Sequence, residues 1–76
     1  MDEKEICQKF GRNVRNFRLS RNWSQEELGH RASLDRTYIG GVERGERNPG
    51  LVNIVRIASA LNVPVGELFP SSEEDE

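Results

Sequence analysis

A single cysteine, Cys7, and a single histidine, His30, stand in a chain of 76 residues. One thiol cannot close an internal disulfide, and it has no second thiol with which to share a metal. No Cys/His cluster with ligand spacing occurs, so no metal site and no resident cofactor are expected. His30 lies amid helix-surface positions and no serine has a base near it by motif, so catalysis has no visible carrier. No run approaches the roughly 18 apolar residues of a membrane span, and no signal-peptide pattern opens the chain. The expectation is a non-enzymatic, soluble, cytoplasmic protein with no membrane partner. Lysine is scarce as well, because nine of the 11 basic residues are arginine. Arginine forks onto phosphate and guanine in a way that lysine cannot.

An excess of positive charge is also missing, since the formal net charge is −2. Glu73, Glu74, Asp75 and Glu76 close the chain as an acidic run, and such runs are usually solvated and disordered. Residues 71–76 are therefore expected to be an acidic tail, and residues 1–70 the one domain that 76 residues allow. Residues 1–70 hold 11 basic and 9 acidic groups, a mildly positive balance that neither excludes nor proves nucleic-acid binding. A chain this short buries only about 60% of its unfolded surface, so dimerisation would add needed apolar burial.

The apolar spacing is helical throughout, with no strand alternation and no internal repeat. Ile6, Phe10, Val14 and Phe17 predict one stripe of a first helix from about Glu3 to Arg21, with Arg12 and Arg15 on the other side. Asn22 is placed to end it in a left-handed conformation. Ser24 and Glu27 form a capping box, and Trp23 with Leu28 a hydrophobic staple, for a second helix to about Ala32. Ser33 and Leu34 make a turn. Asp35 caps a third helix with Ile39 and Val42 facing inward, ended at Gly45. Gly40 and Gly41 sit inside that helix, where each weakens it by roughly 1 kcal/mol relative to alanine. Leu51, Ile54, Ala58 and Leu61 predict a fourth helix to Asn62, widened by Val55 and Ile57. Pro64 starts a short fifth helix carrying Val65, Leu68 and Phe69.

Two short helices joined by a tight turn, the second opening with Asp35, Arg36, Thr37 and Tyr38, are the equipment for reading base edges. Residues 24–45 resemble the helix-turn-helix of the Xre/Cro/cI-like regulators. The resemblance rests on Arg18, Ser24-Gln25-Glu26-Glu27-Leu28, Ile39, Val42, Glu43 and Gly45, then Ile57, Ala58, Ala60, Leu61, Val63, Leu68 and Phe69. It implies an all-α, five-helix, lambda-repressor-like domain whose second and third helices form the helix-turn-helix. A narrower resemblance lies in Leu34 to Ile39, with Val42-Glu43-Arg44-Gly45, Arg47 and Asn48. It looks like the controller proteins of restriction–modification systems. These are small homodimers that bind operators near the endonuclease gene, with RNA polymerase a further partner. Gly40 departs from that pattern, where serine is usual.

The resemblance implies a role for each polar residue of the segment. Arg36 is expected to grip guanine O6 and N7, and Thr37 to offer hydroxyl and methyl to a base. Asp35 is expected to cap. Ser24, Gln25, Tyr38, Arg44, Arg47 and Asn48 are expected along the DNA backbone. Gly41 is expected to face the groove, leaving readout to Arg36, Thr37 and DNA shape. Arg18 and Glu43 are expected to pair and lock the third helix to the scaffold. Val65, Leu68 and Phe69, with part of the fourth helix, are candidates for the dimer interface. The rival is an Xre-type antitoxin, or another small phage- or plasmid-type repressor, that acts partly through a protein partner; the few residues beyond the fifth helix argue for a stand-alone regulator.

Overall fold

A computed structural model of the chain describes residues 1–70; the proposed acidic tail, residues 71–76, lies outside the described residues. Four α-helices follow one another: α1 (Glu3–Ser20), α2 (Gln25–Ala32), α3 (Arg36–Glu43) and α4 (Leu51–Leu61). The expected fifth helix is instead a single 3₁₀ turn over Val65–Leu68. Pro64 does open it, but the backbone bonds there run i→i−3, from Glu67 N to Pro64 O at 3.0 Å and from Phe69 N to Gly66 O at 3.3 Å, which is the tighter 3₁₀ pattern. No described helix is long and apolar enough to cross a membrane.

Each helix start has a local cause. Asp2 accepts from Glu5 N at 2.8 Å, Ser24 from Glu27 N at 3.0 Å, and Asp35 from Thr37 N at 2.8 Å. Each side chain satisfies one of the backbone donors that a helix leaves unpaired at its start. Only half of the Ser24/Glu27 box is built from these two residues, because Glu27 Oε2 accepts from Arg31 Nε at 2.7 Å.

The helix ends share one geometry. Asn22, Ser33, Gly45 and Asn62 all have φ between 58° and 77°. In each case the next residue's N–H reaches back five positions: Trp23 to Arg18, Leu34 to Gly29, Glu46 to Gly41 and Val63 to Ala58. With the inner bonds Asn22 to Leu19, Ser33 to His30, Gly45 to Val42 and Asn62 to Ser59, all four ends are Schellman motifs. Ser33 is the one of the four that is neither glycine nor asparagine, so the turn between α2 and α3 holds some strain.

The core is a single cluster of Phe10, Val14, Leu28, Ala32, Ile39, Val42, Ile57, Ala58, Leu61 and Leu68, fed by every helix and by the 3₁₀ turn. Each of two expected stripes lies on the core except for its first residue. On α1 the buried face is Cys7, Phe10, Val14 and Arg18, whereas Ile6 is 40% exposed. Arginine 18 is on the inside, so the helix turns until it reaches Glu43, and Cys7 rather than Ile6 meets the core. On α4 the inner residues are Ile57, Ala58 and Leu61, whereas Leu51 is 76% exposed because the first turn overhangs the single chain.

Glycine sets two close approaches. A Cβ on Gly11 would collide with the carbonyl oxygens of Val42 and Glu43, so its absence lets α1 press against the end of α3. A Cβ on Gly29 would lie 2.5 Å from Leu34 O, so its absence lets the α2–α3 turn fold back over α2.

Candidate nucleic-acid interface

The interface begins with one buried arginine. Arg18 Nε donates to Glu43 Oε2 at 2.7 Å and Nη2 to Glu43 Oε1 at 2.9 Å. Its third nitrogen, Nη1, donates to the Trp23 carbonyl at 2.8 Å. This ties α1, the approach to α2 and the end of α3 together. The Glu43 carboxylate holds the Arg18 guanidinium's pKa above its usual value, chiefly through these hydrogen bonds. The side chains are 9% and 2% exposed, so a bidentate, desolvated pair fixes the angle at which α3 leaves the body.

Gln25 joins the same knot. Its Nε2 donates to Glu43 Oε1 at 3.1 Å, so the amide expected on a phosphate is turned inward. What remains for a phosphate at the start of α2 is the backbone N–H groups and the exposed Ser24. Glu43 thereby binds the first turn of α2 to the last turn of α3.

At the other end of α3, Arg36 and Thr37 are exposed. Among the described residues Arg36 makes no hydrogen bond or ion pair, so its guanidinium is available at the helix start. The Asp35 carboxyl is held below the usual carboxylate range, first by the Thr37 N–H, then by the Thr37 hydroxyl. The Thr37 backbone N–H is thus spent on the cap at 2.8 Å, while its side chain stands exposed beside Arg36.

Tyr38 is half-buried against the core, and its hydroxyl accepts from Asn53 Nδ2 at 3.1 Å. The hydroxyl hydrogen remains for an outside acceptor. The Arg47 guanidinium lies 5.4 Å from the centre of the Tyr38 ring. The same side chain crosses Gly41, where a Cβ would stand 2.8 Å from Arg47 Cγ. Gly41 is thus buried under the exposed Arg47, whose stem fills the space that a side chain at Gly41 would take. Gly40 is covered too, by Gln25 and Arg44. Asn48 Nδ2 donates weakly to Glu3 Oε2 at 3.4 Å, and Arg44 Nη2 meets Glu46 Oε1 at 3.1 Å; all four side chains are exposed.

Of the expected interface residues, Leu68 is 0% exposed and completes the core of a single chain. Its place at a dimer interface is withdrawn, because a side chain with no accessible surface has nothing to offer a partner. Val65 is half-buried, and Phe69 is exposed with its ring centre 5.3 Å from that of Phe10.

Sequence reasoning missed Asn53, Gly11 and Gly29. The two glycines did carry a signal, since glycine inside a helical pattern marks close approach. Asn53 carried none, because its partner lies 15 residues away.

The helix-turn-helix model HTH_3 matches residues 14–68. The control protein C.SmaI of Serratia marcescens is 48% identical over 69 residues, covering 91% of this chain and 79% of its own. The control protein C.BamHI of Bacillus amyloliquefaciens is 50% identical over 61 residues, covering 79% of this chain and 75% of its own. Among solved structures, the restriction-modification controller protein C.AhdI from Aeromonas hydrophila superposes with a TM-score of 0.81 at 49% identity. It covers 83% of this chain and 96% of its own. The chain belongs to the HTH_3 helix-turn-helix family and is a DNA-binding transcriptional regulator, not an enzyme.

Proposed function

We propose that this regulator is the controller protein of a restriction–modification system, binding pseudo-palindromic operator DNA as a homodimer and setting the access of RNA polymerase in the cytoplasm. The observation that carries it is the unpaired, exposed Arg36 at the start of α3. The Arg18–Glu43–Gln25 knot braces that helix from behind. Relatives described as control proteins match over most of their length, which supports the specific biological role and favours it over an antitoxin. In this assignment residues 1–70 are one unit for both DNA binding and dimerisation.

Arg36 reads guanine and the Thr37 methyl reads thymine in the major groove. Ser24 and the first N–H groups of α2, with the Gln25 backbone, hold one phosphate. Tyr38 through its free hydroxyl hydrogen, Arg44, Arg47 and Asn48 hold others. The apolar surface of α4, Leu51, Val52 and Val55, with Val65 and Phe69, pairs two copies. That places the two α3 helices about one DNA turn, roughly 34 Å, apart.

Selection of bound duplexes from random DNA tests this directly. Two inverted half-sites about one turn apart support the assignment, and recovery of unrelated sequences rejects it. Sedimentation of the free protein tests the pairing: a dimer that Leu51→Glu converts to a monomer is expected, and a monomeric parent rejects it.

A further inference from the structure

Lys9, Arg12, Arg15 and Arg18 of α1 and Arg21 at its C-cap recur at every third position, and no acid occurs between Glu5 and Glu26. A step of three turns the row by about 60° each time, so the five side chains fan around the helix. Arg18 turns inward to Glu43. Arg21 is held by two carbonyls, Phe17 at 2.9 Å and Leu61 at 2.6 Å. Arg12 and Arg15 have neither fate. Both are exposed, and among the described residues neither makes a hydrogen bond or ion pair.

These two arginines, with Gln8, Glu43 and Arg44, line one open concavity of about 300 Å³ beside the end of α3. Among the described residues the one acid lining it is Glu43, whose two carboxylate oxygens are taken by Arg18 and Gln25. Arg44 shares Glu46, but that pair is exposed and worth little. Three guanidinium groups therefore face one hollow with almost no counter-charge. Arg44 also joins the hollow to the start of α2, since its Nη1 and Gln25 Oε1 flank the same face of Gly40. The lining holds no apolar side chain, unlike the core of a protein–protein interface.

We propose that Arg12 and Arg15, together with Arg44, hold a DNA phosphate outside the helix-turn-helix, extending the backbone-contact surface along α1. The inference rests on DNA binding through α2 and α3. It supplies affinity without sequence preference, because guanidinium groups on phosphate carry no base information.

The test compares the full chain with an Arg12→Gln/Arg15→Gln variant. The probes are the duplex selected by the parent protein and a scrambled duplex of equal length, titrated across a range of salt. Both arginines are exposed and unpaired, so the melting temperature is expected to hold; Arg12→Lys/Arg15→Lys keeps the charge and serves where it does not. The expected result is an equal fold-loss on both duplexes. The dependence of log affinity on log salt should become shallower by about 1–2 units, and the lysine variant should restore most of it. Unchanged affinity and slope overturn the proposal, as does a loss confined to the selected duplex. DNA binding kept intact while transcription by purified RNA polymerase fails also overturns it, and assigns the hollow to the polymerase. If the parent protein selects no sequence, the DNA reading fails and this proposal falls with it. If the parent selects, Arg36→Ala relaxes the preference at one base pair and the glutamine variant keeps the parent slope, only this proposal fails.

Discussion

Arg18 and Glu43 lie 25 residues apart in sequence and meet through two side-by-side hydrogen bonds at 2.7 and 2.9 Å. This contact joins the scaffold helix to the end of the recognition helix through charge. Gln25 adds the start of α2 to it. The three parts of a helix-turn-helix that must keep their mutual angle are thus held at a single carboxylate.

Arg18→Ala leaves that carboxylate buried with one amide donor. The expected loss of stability is about 3–5 kcal/mol, because a buried charge deprived of its partner cannot recover its hydration. Thermal unfolding followed by circular dichroism measures it, and an unchanged melting temperature rejects the structural role. The Arg18→Met/Glu43→Leu double variant should recover most of the loss, since an apolar pair of similar volume leaves no orphaned charge.

Gly29 and Ser33 should respond in opposite directions. Gly29→Ala puts a methyl group 2.5 Å from the Leu34 carbonyl oxygen, a clash between backbone-fixed atoms that should cost about 1–3 kcal/mol. Ser33→Gly removes the left-handed strain at φ 60°, and after the entropy of glycine is subtracted should gain roughly 0.5 kcal/mol. Paired melting curves decide this. A drop in both variants would mean that the turn is held by something other than backbone geometry.

Arg36→Ala should weaken binding to the selected duplex by about 1–3 kcal/mol and relax the preference at one base pair. Repeating the selection with the variant reads this directly. An equal loss on every sequence would make Arg36 a phosphate contact.

Asp35 predicts an acid limb. Its carboxyl is stabilised in the charged form by the Thr37 N–H and hydroxyl, so its folded pKa lies below the usual value of 3.8. A depressed pKa means that the cap's contribution is complete above the unfolded-chain value and disappears as pH falls through the folded one. Stability near neutrality should therefore not depend on this group. An NMR titration of the Asp35 side chain should show a midpoint below 3.8, and a midpoint at or above it would show that the cap is open in solution.

Much of this architecture was legible residue by residue. The Ser24 and Asp35 caps, and the terminators Asn22 and Gly45, act over one to five positions. Their geometry follows from side-chain length and from the φ that each residue tolerates. The α1 stripe holds at Phe10, Val14 and Phe17 and fails at Ile6, because an apolar-only pattern cannot count Arg18 as an inside residue. Leu51 was misjudged because helical period says which residues share a face, but not whether anything stands opposite that face. The fifth helix was overcalled because Pro64 signals a start and nothing in Val65 to Leu68 states a length.

The sequence by itself determined where the four α-helices begin and end, and that Arg36 and Thr37 open the third. Those outcomes depend on neighbours along the chain, whose distances the covalent backbone already sets. Only the tertiary structure decided which polar groups remain free. It spent the Gln25 amide on Glu43, tied the Tyr38 hydroxyl to Asn53, and laid Arg47 over Gly41. Among the described residues it also left Arg12 and Arg15 without partners. A hydrogen bond or a close approach between distant residues exists only once packing has brought them together, and no local pattern encodes that meeting.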